Sequence, residues 1–479
     1  MTENMINIMT VDADTFFQAI DPRAPLFIDN EEIDEKYYID FSPVRGQQVI
    51  KDLKSTITRW SKGKPTCQLF TGHIGCGKST ELWRLKQQLE TAGYHVVYFE
   101  SEKNLEMVDV DVSDILLTIA QKVSESLEKL ERLNLEEPKR LKGLLQNVVK
   151  LLQTEIEFSA EANVPGVGKV SASSEGSFSA DLGIGQLKAD KEGLESVTSG
   201  IGKISAQAKS SPELRHKLRE YLGPRTPGII EMINKELLEP ADQKLKEYGK
   251  KGLVVIADNL DKVDSSPKPW GRNQQEYLFV DRGEQLTSLQ CHLIYTLPIA
   301  LRFSNDYGTL TQRFDTPKIL PMVATQLRDG SECIPGMELM RQLVLARAFP
   351  ELTPQERLAR VTEVFDSQET LDYLCRVSGG HVRNMFRMVL DALKEEDDLP
   401  ISRGSVDNVV RNYRKEQLLA IDDHEWELLR RVVQTNKVTG DDGYQILIRS
   451  MFVYEYQYDQ SSWFDINPLL KDAPELKIS

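Results

Sequence analysis

Eight residues, Gly72-His73-Ile74-Gly75-Cys76-Gly77-Lys78-Ser79, constrain this chain more than any other stretch. The spacing G-x-x-x-x-G-K-S works where a strand ends, the backbone turns tightly and a helix begins, because successive N–H groups must curl around an anion and meet a helix N-terminus. The flanks supply that context. Cys67-Gln68-Leu69-Phe70-Thr71 is short, apolar and β-prone, and Thr80 to Leu89 repeats apolar residues at helical spacing. Gly72 through Thr80 are therefore expected to cradle phosphate, with Lys78 reaching the β and γ phosphates of ATP and the Ser79 hydroxyl on Mg²⁺.

A loop of this kind needs a parallel sheet behind it, and the chain offers further strands. His95 to Glu100, Leu253 to Asp258, Leu293 to Thr296 and Lys318 to Leu320 are short apolar runs separated by helical patterns. The fold class expected is an α/β P-loop NTPase with a parallel sheet flanked by helices. The run Val254-Val255-Ile256-Ala257-Asp258-Asn259-Leu260-Asp261 reads as a buried strand delivering a carboxylate at its C-terminal edge, where open α/β sheets bind ligands. Asp258 is expected to hold Mg²⁺ opposite Ser79, directly or through a water, and Asp261 to orient the attacking water or complete the metal shell.

The 479 residues exceed one ordinary core, and about three domains are expected. A net charge of −15 argues against non-specific binding of the whole chain to nucleic acid or anionic membrane. No apolar run reaches membrane-spanning length and the acidic start lacks a signal-peptide layout, so a cytoplasmic location is expected. The scattered cysteines, Cys67, Cys76, Cys291, Cys333 and Cys375, build neither a zinc site nor a disulfide scaffold. Cys76 is either a redox-sensitive thiol near Lys78 or simply a small residue that fits the loop.

Four regions follow from these patterns: an N-terminal segment 1–41, the P-loop domain 42–325, a helical lid 326–400 and a winged-helix-like domain 401–479. Lid helices are expected over Met337 to Ala348, Pro354 to Phe365, Glu369 to Val377 and His381 to Lys394. Further helices from Ser402 lead to a β-hairpin around Tyr458-Asp459-Gln460-Ser461-Ser462. Within the P-loop domain, residues 152–210 stand apart. Glu155 to Val164 and Ser177 to Ile184 alternate polar and apolar residues around a Gly/Ser-rich link, as an inserted amphipathic hairpin or a mobile segment would. Such an insertion would serve as an oligomer contact or effector element, or insert into a membrane, or simply form a disordered surface loop.

The phosphate loop, Asp258-Asn259-Leu260-Asp261, Gly379-Gly380-His381-Val382-Arg383 in the lid and the helices-then-hairpin ending together resemble the AAA+ and STAND class of P-loop ATPases. The layout, over roughly residues 42–470, is similar to origin-recognition-type ATPases and bacterial signalling or defence NTPases. The resemblance implies that Thr296 matches the first sensor, Arg383 the second, and Val44-Arg45-Gly46 the segment near the adenine. It also implies an arginine finger, for which Arg313 and Arg302 compete, acting in trans within a homo-oligomer.

One position departs from that class. Where the usual site has a glutamate directly after the metal-binding aspartate, this chain has Asn259, and an amide cannot accept a proton. The expectation shifts from motor towards an ATP-binding, slowly hydrolysing switch that couples nucleotide state to assembly or a protein partner. A DNA-binding initiator or loader is the rival. Residues 401–479 carry 10 basic against 13 acidic side chains, which weakens it. A small-molecule kinase would need neither lid nor C-terminal domain.

Overall fold

The computed structural model describes residues 11–22, 36–46, 48–130, 135–162, 194–440 and 442–477. Its centre is a five-stranded parallel sheet: β1 (Cys67–Gly72), β2 (His95–Glu100), β3 (Leu253–Asp258), β4 (His292–Leu297) and β5 (Lys318–Leu320), in the order β2-β3-β4-β1-β5. Every residue of β3 and β4 is buried, which is why these strands read as unbroken apolar runs rather than alternating ones. The order places β4 between the strand that ends in the phosphate loop and the strand that ends in Asp258. Loop and carboxylate therefore face each other across one strand at the carboxyl edge, the arrangement of a P-loop α/β fold.

Between β2 and β3 the chain builds a helical layer. Helices Val112–Glu128, Lys139–Ala162, Leu194–Ser210 and Pro212–Leu222 share a core of Ile115, Ile119, Leu145, Val149, Leu152, Val197, Ile201 and Leu218. This corrects the expected hairpin at its first arm: residues 155–162 complete the helix Lys139–Ala162. Leu141, Leu145, Val148, Val149 and Leu152 already set a helical stripe that Ile156 continues four residues on, and the Glu and Ala residues beyond it are helix formers. The expected second arm, Ser177 to Ile184, lies outside the described residues. Among the described residues no helix is long and apolar enough to cross a membrane.

The lid consists of helices Ile334–Ala348, Pro354–Ala359, Gln368–Ser378 and Val382–Glu396. Its core extends beyond the boundaries read from the sequence. Phe16 and Ile20 from the N-terminal helix Ala13–Ala19 and its cap, and Val406, Val409 and Val410 from the helix Arg403–Leu418, pack into the same cluster as Met340, Leu371 and Met385. Helices Asp423–Thr435 and Asp442–Arg449 then lead to the antiparallel hairpin of β6 (Val453–Tyr458) and β7 (Ser461–Ile466). That hairpin is not a free wing. Tyr454, Tyr456 and Trp463 are buried with Leu82, Leu85 and Ile256 of the P-loop domain, and the Met322 N–H donates to the Glu455 carbonyl at 2.9 Å.

Candidate nucleotide site

β1 runs straight into the phosphate loop, and the helix Lys78–Thr91 starts at its end. Gly75 and Gly77 have φ of +81° and +102°, in the left-handed region that favours glycine. Gly75 is also the point of closest approach. A Cβ there would lie 2.6 Å from the His381 ring, so the lid can rest on the loop only because position 75 has no side chain. Cys76 is buried, its thiol donating to the Leu320 carbonyl at 3.7 Å, which fits the reading of a small residue that fills the loop.

The Lys78 ammonium donates to the Gly72 and His73 carbonyls, each at 2.8 Å, and pairs with Asp261 at 3.0 Å. Burial alone would lower the Lys78 pKa, but its acidic neighbours together, Asp261 foremost and Asp258 behind it, outweigh burial and the net shift is upward. Thr296 does not line the cavity. Its hydroxyl accepts from the Leu260 and Asp261 N–H groups at 2.8 and 3.3 Å, fixing the turn that presents Asp261 to Lys78.

Asp258 is fully buried and accepts from the Asn259 N–H at 2.6 Å, from the Tyr98 hydroxyl at 2.7 Å and from Ser79. Burial raises its pKa against the pull of those donors. Ser79 and Asp258 thus stand side by side, and the buried Oδ1 of Asp261 has no hydrogen-bond partner. A hydroxyl, a carboxylate and an orphaned carboxylate oxygen suit a hard cation such as Mg²⁺. Among the described residues no group of three or more His, Cys, Asp or Glu side chains could hold a metal ion, so phosphate oxygens and water would have to complete the shell.

Ser79 and Asp261 open onto a cavity of about 600 Å³, with Asp258 buried behind them against Ser79. Gly75 through Glu81 form its floor, Glu100, Glu102, Asn259, Asp261 and Lys262 one wall, and Val382, Arg383, Phe386 and Arg387 of the lid another. Arg383, expected to reach from the lid to the nucleotide, lines the cavity. Arg45 lines it too, its guanidinium donating to the Cys76 carbonyl at 2.6 Å. Val44 is packed into the lid core instead. Arg313 sits outside the cavity on the helix Tyr307–Phe314 and donates to the Val280 carbonyl, while Arg302 is paired with Glu455. Any finger role for either would involve a second copy of the chain.

Other parts of the lining come from residues that sequence reasoning missed. Tyr37, Tyr38, Ile39 and Phe41, with Leu343 and Phe386, supply an apolar and aromatic slot of the kind a base ring fills, and Gln18 and Asp21 of the N-terminal segment border it. Arg347 lies over the Tyr37 and Phe386 rings and donates to the Tyr37 carbonyl at 2.7 Å. Only Arg387 had a usable signal, since it follows Arg383 by one helical turn.

Two histidines tie the loop to the rest of the molecule. His381 caps the helix Val382–Glu396 by accepting from the Asn384 N–H through Nδ1 at 2.9 Å, so Nε2 carries the proton and donates to the Ile74 carbonyl at 2.8 Å. Beside it the Arg383 N–H donates to the Gly75 carbonyl at 3.2 Å. His73 accepts from the Glu455 N–H at 2.9 Å, and the Tyr454 ring lies near both histidines. Burial drives both imidazoles towards the neutral form, His73 down to about 3 with the charges of His381 and Lys78 adding to it, and His381 down to about 4. Their folded pKa values lie below the usual 6.5, so the stability they contribute is complete above about pH 6.5 and falls as pH drops towards 4. Urea unfolding at pH 7 and pH 5 should show the loss, and His73→Gln with His381→Gln should flatten the dependence.

No family model and no curated protein matches the sequence. Among solved structures, Cdc6p from Pyrobaculum aerophilum is similar, with 10% identity over 93% of this chain and 97% of that one and a TM-score of 0.34. The ORC2 protein of Aeropyrum pernix is similar at 11% identity. Its ADP form covers 94% of this chain and 96% of that one at a TM-score of 0.40, and its ADPNP–ADP complexes 94% and 97% at 0.37. Likenesses below a TM-score of 0.5 carry nothing further, and the function rests on this chain's own residues.

Proposed function

We propose that the chain is an ATP-binding, slowly hydrolysing switch of the AAA+/STAND type that passes its nucleotide state to the lid and the C-terminal hairpin, and from there to self-assembly or a protein partner. The observation that carries this reading is the double grip on the phosphate loop. Ile74 and Gly75, which line the cavity, hold the lid through His381 and Arg383, and the adjoining His73, buried behind them, holds the hairpin. A nucleotide that takes Lys78 from Asp261 and the loop carbonyls must disturb both contacts at once, because each passes through residues 72–75.

ATP fits the cavity in parts: triphosphate on the loop and Lys78, the far end against Arg383 and Arg387, and the base in the slot of Tyr37, Phe41 and Phe386. Mg²⁺, held by Ser79 and Asp258, would neutralise phosphate charge when bound. The hairpin's aromatic face is turned inward against the P-loop domain, which favours an internal signalling role for it over reading DNA.

Asp258→Asn tests the metal assignment. The amide oxygen can keep the Asn259 N–H bond but is a poor ligand for a hard cation. Titration with a fluorescent ATP analogue should show near-parent affinity without metal, and Mg²⁺ should no longer tighten binding. Equal tightening by Mg²⁺ in parent and variant would show that Asp258 is not the metal residue.

A further inference from the structure

Asn259 cannot accept a proton, and Asp261 is engaged with Lys78. Two more carboxylates stand in the same wall: Glu100, paired with Lys103 at 3.0 Å and 18% exposed, and the more open Glu102. The short helix Ser101–Asn104 follows β2 directly, and β2 pairs with β3 so that Glu100 lies opposite Asp258. Glu102 therefore emerges at the same carboxyl edge as the metal-binding strand. Its Oε1 accepts from Asn259 Nδ2 at 3.1 Å and its Oε2 from Lys262 Nζ at 2.6 Å, and all three residues line the cavity. Its side chain is 37% exposed, so a water can reach it.

Asn259 has a reason to be where it is. Its φ is +61°, a left-handed conformation that asparagine tolerates better than glutamate, and from there its amide donates to Glu102. The position that lacks a proton acceptor is thus bonded to a residue that is one.

We propose that Glu102 is the general base of ATP hydrolysis, held in place by Asn259; this rests on the nucleotide-site reading above. The oxygen of a water bonds to the γ-phosphorus while its proton passes to the Glu102 carboxylate. The bond from that phosphorus to the β–γ bridging oxygen breaks, and its electron pair leaves with ADP. The proton then goes to solvent, returning Glu102 to its ionised form. Asn259 and Lys262 each take up a lone pair on one of the two carboxylate oxygens, so a water must use the remaining lone pairs, in keeping with slow turnover.

Glu102→Gln in the full chain is the test, because the amide oxygen still accepts from Asn259 while the proton acceptor is gone. Phosphate release at saturating ATP and Mg²⁺ should fall about a hundredfold or more, the scale of general-base assistance. Affinity for a fluorescent ADP analogue should stay within about twofold, since no contact to the loop changes. Asn259→Ala should lower kcat with KM unchanged, because it loosens the base without touching the phosphate loop. Turnover of Glu102→Gln within twofold of the parent would overturn the proposal, as would a parent protein that binds ATP but releases no phosphate. A parent protein that binds no nucleotide would instead overturn the site reading on which the proposal depends.

Discussion

Lys78→Met should bind ATP at least a hundredfold more weakly than the parent protein. Lys78 and its partner Asp261 are 7% and 4% exposed, so the charge meets phosphate in a largely desolvated place. Removing one partner from such a contact costs about 3 kcal/mol, or roughly a hundredfold in affinity. The same substitution strands the Asp261 carboxylate beside the Gly72 and His73 carbonyls, and loss of one member of a buried pair destabilises a fold by about 3–5 kcal/mol. The two effects separate in the double variant Lys78→Met with Asp261→Asn. It should regain most of the stability, read by urea unfolding, and none of the affinity, read by titration with a fluorescent ATP analogue. Affinity within about threefold of the parent in either variant would contradict the placement of the phosphates.

The second large effect concerns the turn between the lid helices Gln368–Ser378 and Val382–Glu396. Gly380→Ala should lower the stability of the lid by about 4 kcal/mol or more, beyond the range of ordinary substitutions. Gly380 has φ of +73°, and a Cβ built on it would lie 1.8 Å from the Val323 carbonyl oxygen. Backbone on both sides leaves nothing flexible to yield. The turn would have to move, carrying with it His381 and Arg383, the residues that grip the phosphate loop. Urea unfolding should show a lower midpoint, and ATP should bind more weakly because Arg383 is displaced. An unchanged midpoint would mean that this turn is looser than its packing against Val323 indicates.

The sheet was legible because buried parallel strands are written as continuous apolar runs. His95–Glu100, Leu253–Asp258 and Lys318–Leu320 are strands over the same residues that sequence reading expects. The placement of the phosphate loop and Asp258 at the sheet edge and of Arg383 beside the cavity was legible for another reason, since the chemistry expected of them demands particular residue types at particular spacings. The aromatic slot was not. Tyr37 and Phe41 line the cavity together with Leu343 and the lid helix Val382–Glu396, hundreds of residues away, and no local period records that. Glu102 was hidden in the same way, because its link to Asn259 is made across two neighbouring strands.

Thr296 shows how a correct address can come with a different task. It was expected to face the γ-phosphate, but its hydroxyl is engaged by the two N–H groups that shape the Asp261 turn. The first arm of the expected hairpin reads both ways: Ile156, Phe158, Ala160 and Ala162 alternate as a strand would, yet Ile156 also extends the stripe of Leu145 and Leu152. The chain there is helix, continuing the element that Leu145 and Leu152 anchor in the core.

The central claim is that one loop both binds nucleotide and holds lid and hairpin in place. Hydrogen–deuterium exchange on the full chain, with and without ATP and Mg²⁺, tests it most directly, because the Glu455 and Arg383 N–H groups are themselves the contacts to His73 and Gly75. Protection should rise across residues 72–80 and change at the same time in the peptides containing Arg383 and Glu455. Protection of 72–80 with no change at either of those peptides would leave a nucleotide site without a switch, and no change at 72–80 would contradict the site itself.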